Sequence, residues 1–219
     1  MFSQLKWILG WGVLSLSLSS GAQIRLGDPL IFGDGCRPGT VATSLSPDLT
    51  AISVIYDDYV VKAAQGNGQR DRRSGMWNAQ KVCINRIPLF VDRGTQIQLI
   101  QADHRGFAFV PAGARAEVES MVNANLMQGN DSGRLGRSLL RDALRTTHVM
   151  SAGHSEDFFF RQSVGQEVWS PCGQNLILWV NSAVRVSTRS EEVTVQMDST
   201  DLSSESVALQ FRIRTRACR

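Results

Sequence analysis

An all-β fold, an antiparallel two-sheet sandwich of jelly-roll-like type, is what the sequence predicts, and three observations predict it. Short runs alternate apolar and polar side chains with a period of two. Gly, Asn, Asp and Pro punctuate those runs at turn positions. Helical periodicity is confined to one stretch near mid-chain.

Residues 50–56 place Ile52, Val54 and Tyr56 on one face. Residues 81–91, 95–101 and 105–110 are rich in β-branched and aromatic side chains, with breaks at Asp92-Arg93-Gly94 and at Asp103-His104. In 114–122, Ala114, Ala116 and Val118 face one way while Arg115, Glu117 and Glu119 face the other. Strands follow at 174–180, 183–188 and 192–197. The last, 206–217, sets Val207, Leu209, Phe211 and Ile213 against Gln210, Arg212, Arg214 and Arg216. One wet face per strand is what an antiparallel sheet requires.

Two stretches depart from this pattern. Residues 65–79 read as a polar, mobile loop carrying Arg72, Arg73 and Trp77. Residues 123–155 read as an insertion of loop and one short helix, about Arg134 to Thr146. On a helical wheel Arg134, Arg137, Arg141 and Arg145 share a narrow sector, opposite Leu135, Leu139, Leu140, Ala143 and Leu144.

The N-terminus has the layout of an export signal: Lys6, an apolar run from Trp7 to about Leu18, then Ser19-Ser20-Gly21-Ala22. The apolar run is too short to span a bilayer. The predicted organisation is a signal peptide over 1–22 and one domain over 23–219, exported to the periplasm or beyond the cell. No later transmembrane run and no hydrophobic C-terminal anchor is expected. The net charge of +3 is small, which argues against a dedicated nucleic-acid binder. Arginine outnumbers lysine 20 to 3, a bias that a GC-rich genome explains as readily as an arginine surface does.

Cys36, Cys83, Cys172 and Cys218 are the only thiols. In an oxidising compartment they form two bridges. Three pairings are possible, and spacing alone does not choose among them. Joining Cys36 to Cys83 and Cys172 to Cys218 closes loops of similar length and is the favoured arrangement. No C-x-x-C redox spacing and no zinc-type Cys/His spacing is present.

The segments around these cysteines carry a resemblance. Gly33-Asp34-Gly35-Cys36-Arg37-Pro38-Gly39 opens the predicted domain, and Ser46-Pro47-Asp48 precedes its first strong strand. Arg105-Gly106 precedes an aromatic strand. Trp169-Ser170-Pro171-Cys172-Gly173, Asp198-Ser199-Thr200-Asp201 and Arg216-Ala217-Cys218 close the series. In that order they resemble the secreted four-cysteine proteins of fungi and bacteria known as domain of unknown function 4360, over about residues 30–218. The resemblance implies a secreted, mainly β protein with two bridges and no established activity. Two departures stand out: Asn78 to Val82, before Cys83, lacks an expected arginine, and 123–155 is richer in arginine.

No catalytic residues are assigned. His104, His148 and His154 read as loop histidines, and no serine sits in a nucleophile elbow. Asp57-Asp58, Glu117/Glu119 and Asp198/Asp201 are candidate carboxylate pairs for glycoside hydrolysis, with Glu117 and Glu119 better read as solvated. No cofactor and no metal is assigned. Asp198, Asp201 and Glu205 are oxygen ligands of the kind calcium takes, but EF-hand spacing is missing. Trp179 reads as core and Trp169 as packing on the Cys172 bridge, which leaves Trp77 as the ligand-facing aromatic. Asn130-Asp131-Ser132 matches a glycosylation sequon.

The predicted function is non-enzymatic binding of an envelope or extracellular ligand, carbohydrate first. Trp77, Arg72, Arg73, Arg137, Arg141 and Arg145 are the candidate contact residues. The alternatives are a secreted carboxylate-dependent hydrolase and a structural or adhesive protein acting through a basic helix.

Overall fold

In a computed structural model, residues 24–129, 131–140, 144–197 and 208–218 are described. The export signal predicted over 1–22 lies outside them, as do Asn130, Arg141, Asp198 and Asp201. Two antiparallel sheets build the protein. The first contains β1 (Ile24–Leu26), β2 (Leu30–Phe32), β6 (Gln69–Arg70), β7 (Trp77–Val91), β9 (Arg115–Gln128), β10 (Asp131–Ser138), β11 (Leu144–Met150) and β13 (Leu176–Thr188). The second contains β3 (Val41–Leu45), β4 (Ala51–Tyr56), β5 (Val60–Ala63), β8 (Thr95–Val110), β12 (His154–Ser163), β14 (Val193–Gln196) and β15 (Leu209–Ala217).

In the first sheet β13 lies between β7 and β9; β1, β2 and β6 share the far edge of β7, and β10 and β11 share the far edge of β9. In the second, β12 covers one edge of β8, while β14 and β15 run end to end along the other. The chain crosses between sheets after β2, β5, β7, β8, β11, β12 and β13, which brings the inner faces together. Ile87, Leu178 and Val180 from the first sheet and Ile52, Val54 and Phe211 from the second belong to one core.

Two tyrosines tie the layers with polar contacts. Asn85 Nδ2 donates to the Tyr56 hydroxyl at 2.7 Å, and Tyr59 Oη donates to the Ser182 carbonyl at 3.0 Å. Each bond joins a second-sheet segment to a first-sheet strand, so two otherwise costly buried polar groups are satisfied. Burial pushes both phenols well above the usual tyrosine range. Disulfides join Cys36 to Cys83 and Cys172 to Cys218. The first fastens the loop after β2 to β7; the second fastens the approach to β13 to the end of β15.

Three expectations need correction. No helix occurs among the described residues: 131–138 and 144–150 are strands on the edge of β9. The leucine wheel misleads because Gly133 and Gly136 weaken a helix and 146–149 is partly β-branched. A Cβ at Gly136 would also lie 2.7 Å from the Leu126 carbonyl, so glycine admits close backbone approach there. Secondly, β8 is unbroken through Asp103-His104, because strand geometry turns the histidine inward and the aspartate outward. Thirdly, 65–79 holds an ordered hairpin, Gln69–Arg70 against Trp77–Asn78, and the strand 154–163 adds to those expected. No helix among the described residues is long and apolar enough to cross a membrane.

Candidate functional site

The outer face of the first sheet holds a polar groove. Strand alternation turns Asn78 and Gln80 of β7, Arg185 and Ser187 of β13, and Arg115, Glu117 and Glu119 of β9 outward. Register does the rest: Arg185 stands opposite Gln80 on one side and Glu117 on the other. Arg185 Nε donates to Gln80 Oε1 at 3.0 Å. Its Nη1 donates to Glu117 Oε1 at 3.2 Å and to Glu119 Oε2 at 2.8 Å. Arg115 Nη2 reaches Glu117 at 3.5 Å, and Arg145 Nη1 of β11 reaches Glu119 at 3.7 Å. Hydrogen bonding to Glu119 raises the Arg185 pKa above its usual value.

These ion pairs are partly solvated, with the Arg185 side chain 39% exposed, so each contributes roughly 0.2–1 kcal/mol. Their larger effect is positional: they hold carboxylates, an amide and guanidinium groups at set places on a stiff sheet. Above them the stem of the β6–β7 hairpin, through Gly68 and Gln69, closes one side of a groove of about 600 Å³. That volume lies in the range of small-ligand sites, roughly 300–1,000 Å³. A neighbouring recess of about 180 Å³ is lined by Glu119, Met121, Arg145 and Asn181. The lining offers donors and acceptors side by side, which suits a ligand rich in hydroxyl groups.

Glu117 and Glu119 lie on one strand face and accept from the same guanidinium nitrogen. Glycoside hydrolysis calls for two carboxyls flanking a bond between them. Among the described residues no group of three His, Cys, Asp or Glu side chains is placed to hold a metal ion.

The predicted contact residues scatter around this groove. Arg72 and Arg73 are exposed in the turn that ends the β6–β7 hairpin, where Asp71 accepts from the Arg73 amide at 2.8 Å. Trp77 begins β7 opposite Thr188, half-buried on the inward-facing side. Arg137 is exposed on β10 and Arg145 on β11, so they form no helical sector; Arg141 is outside the described residues. Trp179 lies on the outer face beside Arg86, where register places it, and not in the core between the sheets. Trp169 stacks under the Arg216 guanidinium at 4.0 Å.

Sequence reasoning passed over Arg185, the centre of the groove. Its signal was a single charge in the alternating run Ala183 to Ser187, outward between Val184 and Val186. It also placed the histidines in loops, whereas all three are in strands. His104 is buried on the inner face of β8, stacked on Phe160 at 4.5 Å, with Nε2 2.8 Å from Gln162 Oε1. His148 of β11 also stacks on Phe160, with ring centroids 5.1 Å apart.

Compared with known proteins, the chain matches the family described as Domain of unknown function (DUF4360) over residues 22–218. It is also similar to an "Uncharacterized secreted protein" of Arthroderma benhamiae, 27% identical over 179 residues. The match covers 80% of this chain and 65% of the relative, so the chain spans less than two thirds of that protein's length.

Proposed function

Since the chain belongs to the DUF4360 family, we propose that it is an exported, non-enzymatic protein that binds an extracellular or envelope carbohydrate in the groove centred on Arg185. Export is supported by the secreted relative, by two disulfides of the kind that persist outside the cytosol, and by the signal-like N-terminus. In this reading 1–22 is removed and the remainder works as one domain, in the periplasm or outside the cell.

The single observation that carries the ligand class is the floor of the groove, the Gln80–Arg185–Glu117/Glu119 network. Carboxylate and amide side chains accept from and donate to vicinal hydroxyls, and a fixed network avoids the entropy cost of ordering them on binding. In this reading Arg72 and Arg73, exposed in the turn of the hairpin whose stem borders the groove, meet the outer part of a longer glycan.

A glycan array of the exported protein, followed by calorimetry of the best hits, tests the proposal. Binding is expected, weakened at least about tenfold by Gln80→Ala, the loss of roughly 1.4 kcal/mol, with an unchanged melting temperature. Absence of any glycan hit, or hits indifferent to both Gln80→Ala and Glu117→Gln, would overturn it.

A further inference from the structure

The outer face of the second sheet, on the far side of the sandwich from the groove, has a different chemistry. Strands β8, β12 and β15 turn Arg105, Arg161, Arg212, Arg214 and Arg216 outward, against the carboxylates Asp103 and Asp157. Asp103 is already matched: Arg161 Nε and Nη2 donate to its two oxygens at 2.7 and 3.1 Å, and Gln101 Nε2 donates at 2.9 Å. Arg212 and Arg214 are exposed and have no carboxylate partner among the described residues.

The cations are ordered, not merely numerous. Alternate residues on a strand repeat about every 6.5–7 Å, so Arg212, Arg214 and Arg216 form a ladder of positive charge, with a bulge in the pairing to β8 between Arg212 and Ile213. Aromatic rings brace cations at either end of the face. Arg216 lies 4.0 Å over the Trp169 ring and donates from Nε to Gln96 Oε1 at 3.0 Å. Phe159, 48% exposed, has Arg105 and Arg161 at 5.5 and 5.4 Å from its ring centre. A guanidinium held by stacking loses less freedom when it binds an anion, and its fork matches carboxylate and sulfate oxygens.

We propose that this face binds an acidic polysaccharide, a linear sugar chain bearing carboxylate or sulfate groups at regular intervals. A row of guanidinium groups at regular spacing along one strand face fits a linear polyanion. The exposed Phe159 ring, beside Arg105 and Arg161, suits the apolar face of a sugar ring. An amphipathic helix, which would favour a membrane surface, is not found among the described residues. A net charge of +3 is low for a nucleic-acid binder. The inference rests on the proposed export but not on the groove, which lies on the other sheet.

The test is titration of the full exported protein with alginate, a polyuronate, with neutral dextran as control, at low and high salt. Expected are binding to alginate and not to dextran, weakening as salt rises, and at least about a tenfold loss in Arg212→Gln/Arg214→Gln, two partly solvated charge contacts. Arg25→Gln/Arg134→Gln removes the same charge from exposed positions on strands of the first sheet and is expected to bind as before. The proposal is overturned by no alginate binding at low salt, by equal losses in both double variants, or by tighter binding to phosphatidylglycerol vesicles than to alginate. Gln80→Ala is expected to leave alginate binding intact, which separates failure here from failure of the groove.

Discussion

His104 shows how much a single residue's environment decides. Its Nε2 faces Gln162 Oε1, while Gln162 Nε2 donates to the carbonyls of Ser120 at 3.2 Å and Leu144 at 3.3 Å. The amide orientation makes the Gln162 oxygen an acceptor, so His104 carries its proton on Nε2. The buried Nδ1 is left without a partner among the described residues. Burial lowers the His104 pKa from 6.5 to about 4, against smaller opposing effects of Gln162 and Asp103. Between those values the unfolded chain binds more protons than the folded one. Stability is therefore fully present above about pH 6.5 and falls as pH drops toward 4, by up to about 3 kcal/mol. His148, whose pKa burial also lowers, contributes with the same sign. Urea unfolding at pH 7 and pH 4.5 should show the loss, and His104→Leu should shrink the difference between the two. An equal difference in wild type and variant would contradict this account.

At the scale of elements, the long central strands were legible and their edges were not. Alternation in 81–91, 114–122 and 206–217 maps directly onto β7, β9 and β15, because one face of each is buried and the other wet. Edge strands β10 and β11 bury less and carry glycine, arginine and leucine in a pattern that a helix matches equally well. Their strand state comes from hydrogen bonds that β9 offers, a non-local term absent from any window of sequence. In β8 the glycine of Arg105-Gly106 has a packing role: a Cβ there would lie 2.3 Å from the Gln196 carbonyl and 2.5 Å from Phe158 Cζ. Gly106→Ala is expected to destabilise by about 2 kcal/mol, since backbone and a buried ring must both shift. Gly113→Ala, where nothing lies within 4 Å and only φ +77° opposes a side chain, is expected to cost about 1 kcal/mol or less. Chemical denaturation of both variants checks the order, and a reversed order would refute the packing argument.

For the whole molecule, the two bridges set how far the layers can separate. Each closes a loop of 47 or 46 residues, for which chain entropy assigns about 4 kcal/mol. Against a typical net stability of about 5–15 kcal/mol, losing both removes most of the margin. Cys172→Ser/Cys218→Ser frees the ends of β13 and β15, and should lower the denaturation midpoint clearly while leaving a folded protein. The variant lacking all four cysteines is expected to be largely unfolded at 37 °C by circular dichroism. A fully reduced protein as stable as the oxidised one would show that the core alone suffices.

The sequence by itself determined the mainly β character and the four thiols available for two bridges, because period-two burial and cysteine number are written locally; which thiols pair came from the structure. Only the tertiary structure decided that Arg185 meets Gln80, Glu117 and Glu119, that five arginines share one outer face, and that 131–150 pairs as strands. Those outcomes depend on register and edge pairing between segments distant along the chain, where one residue of slip would turn every side chain to the opposite face.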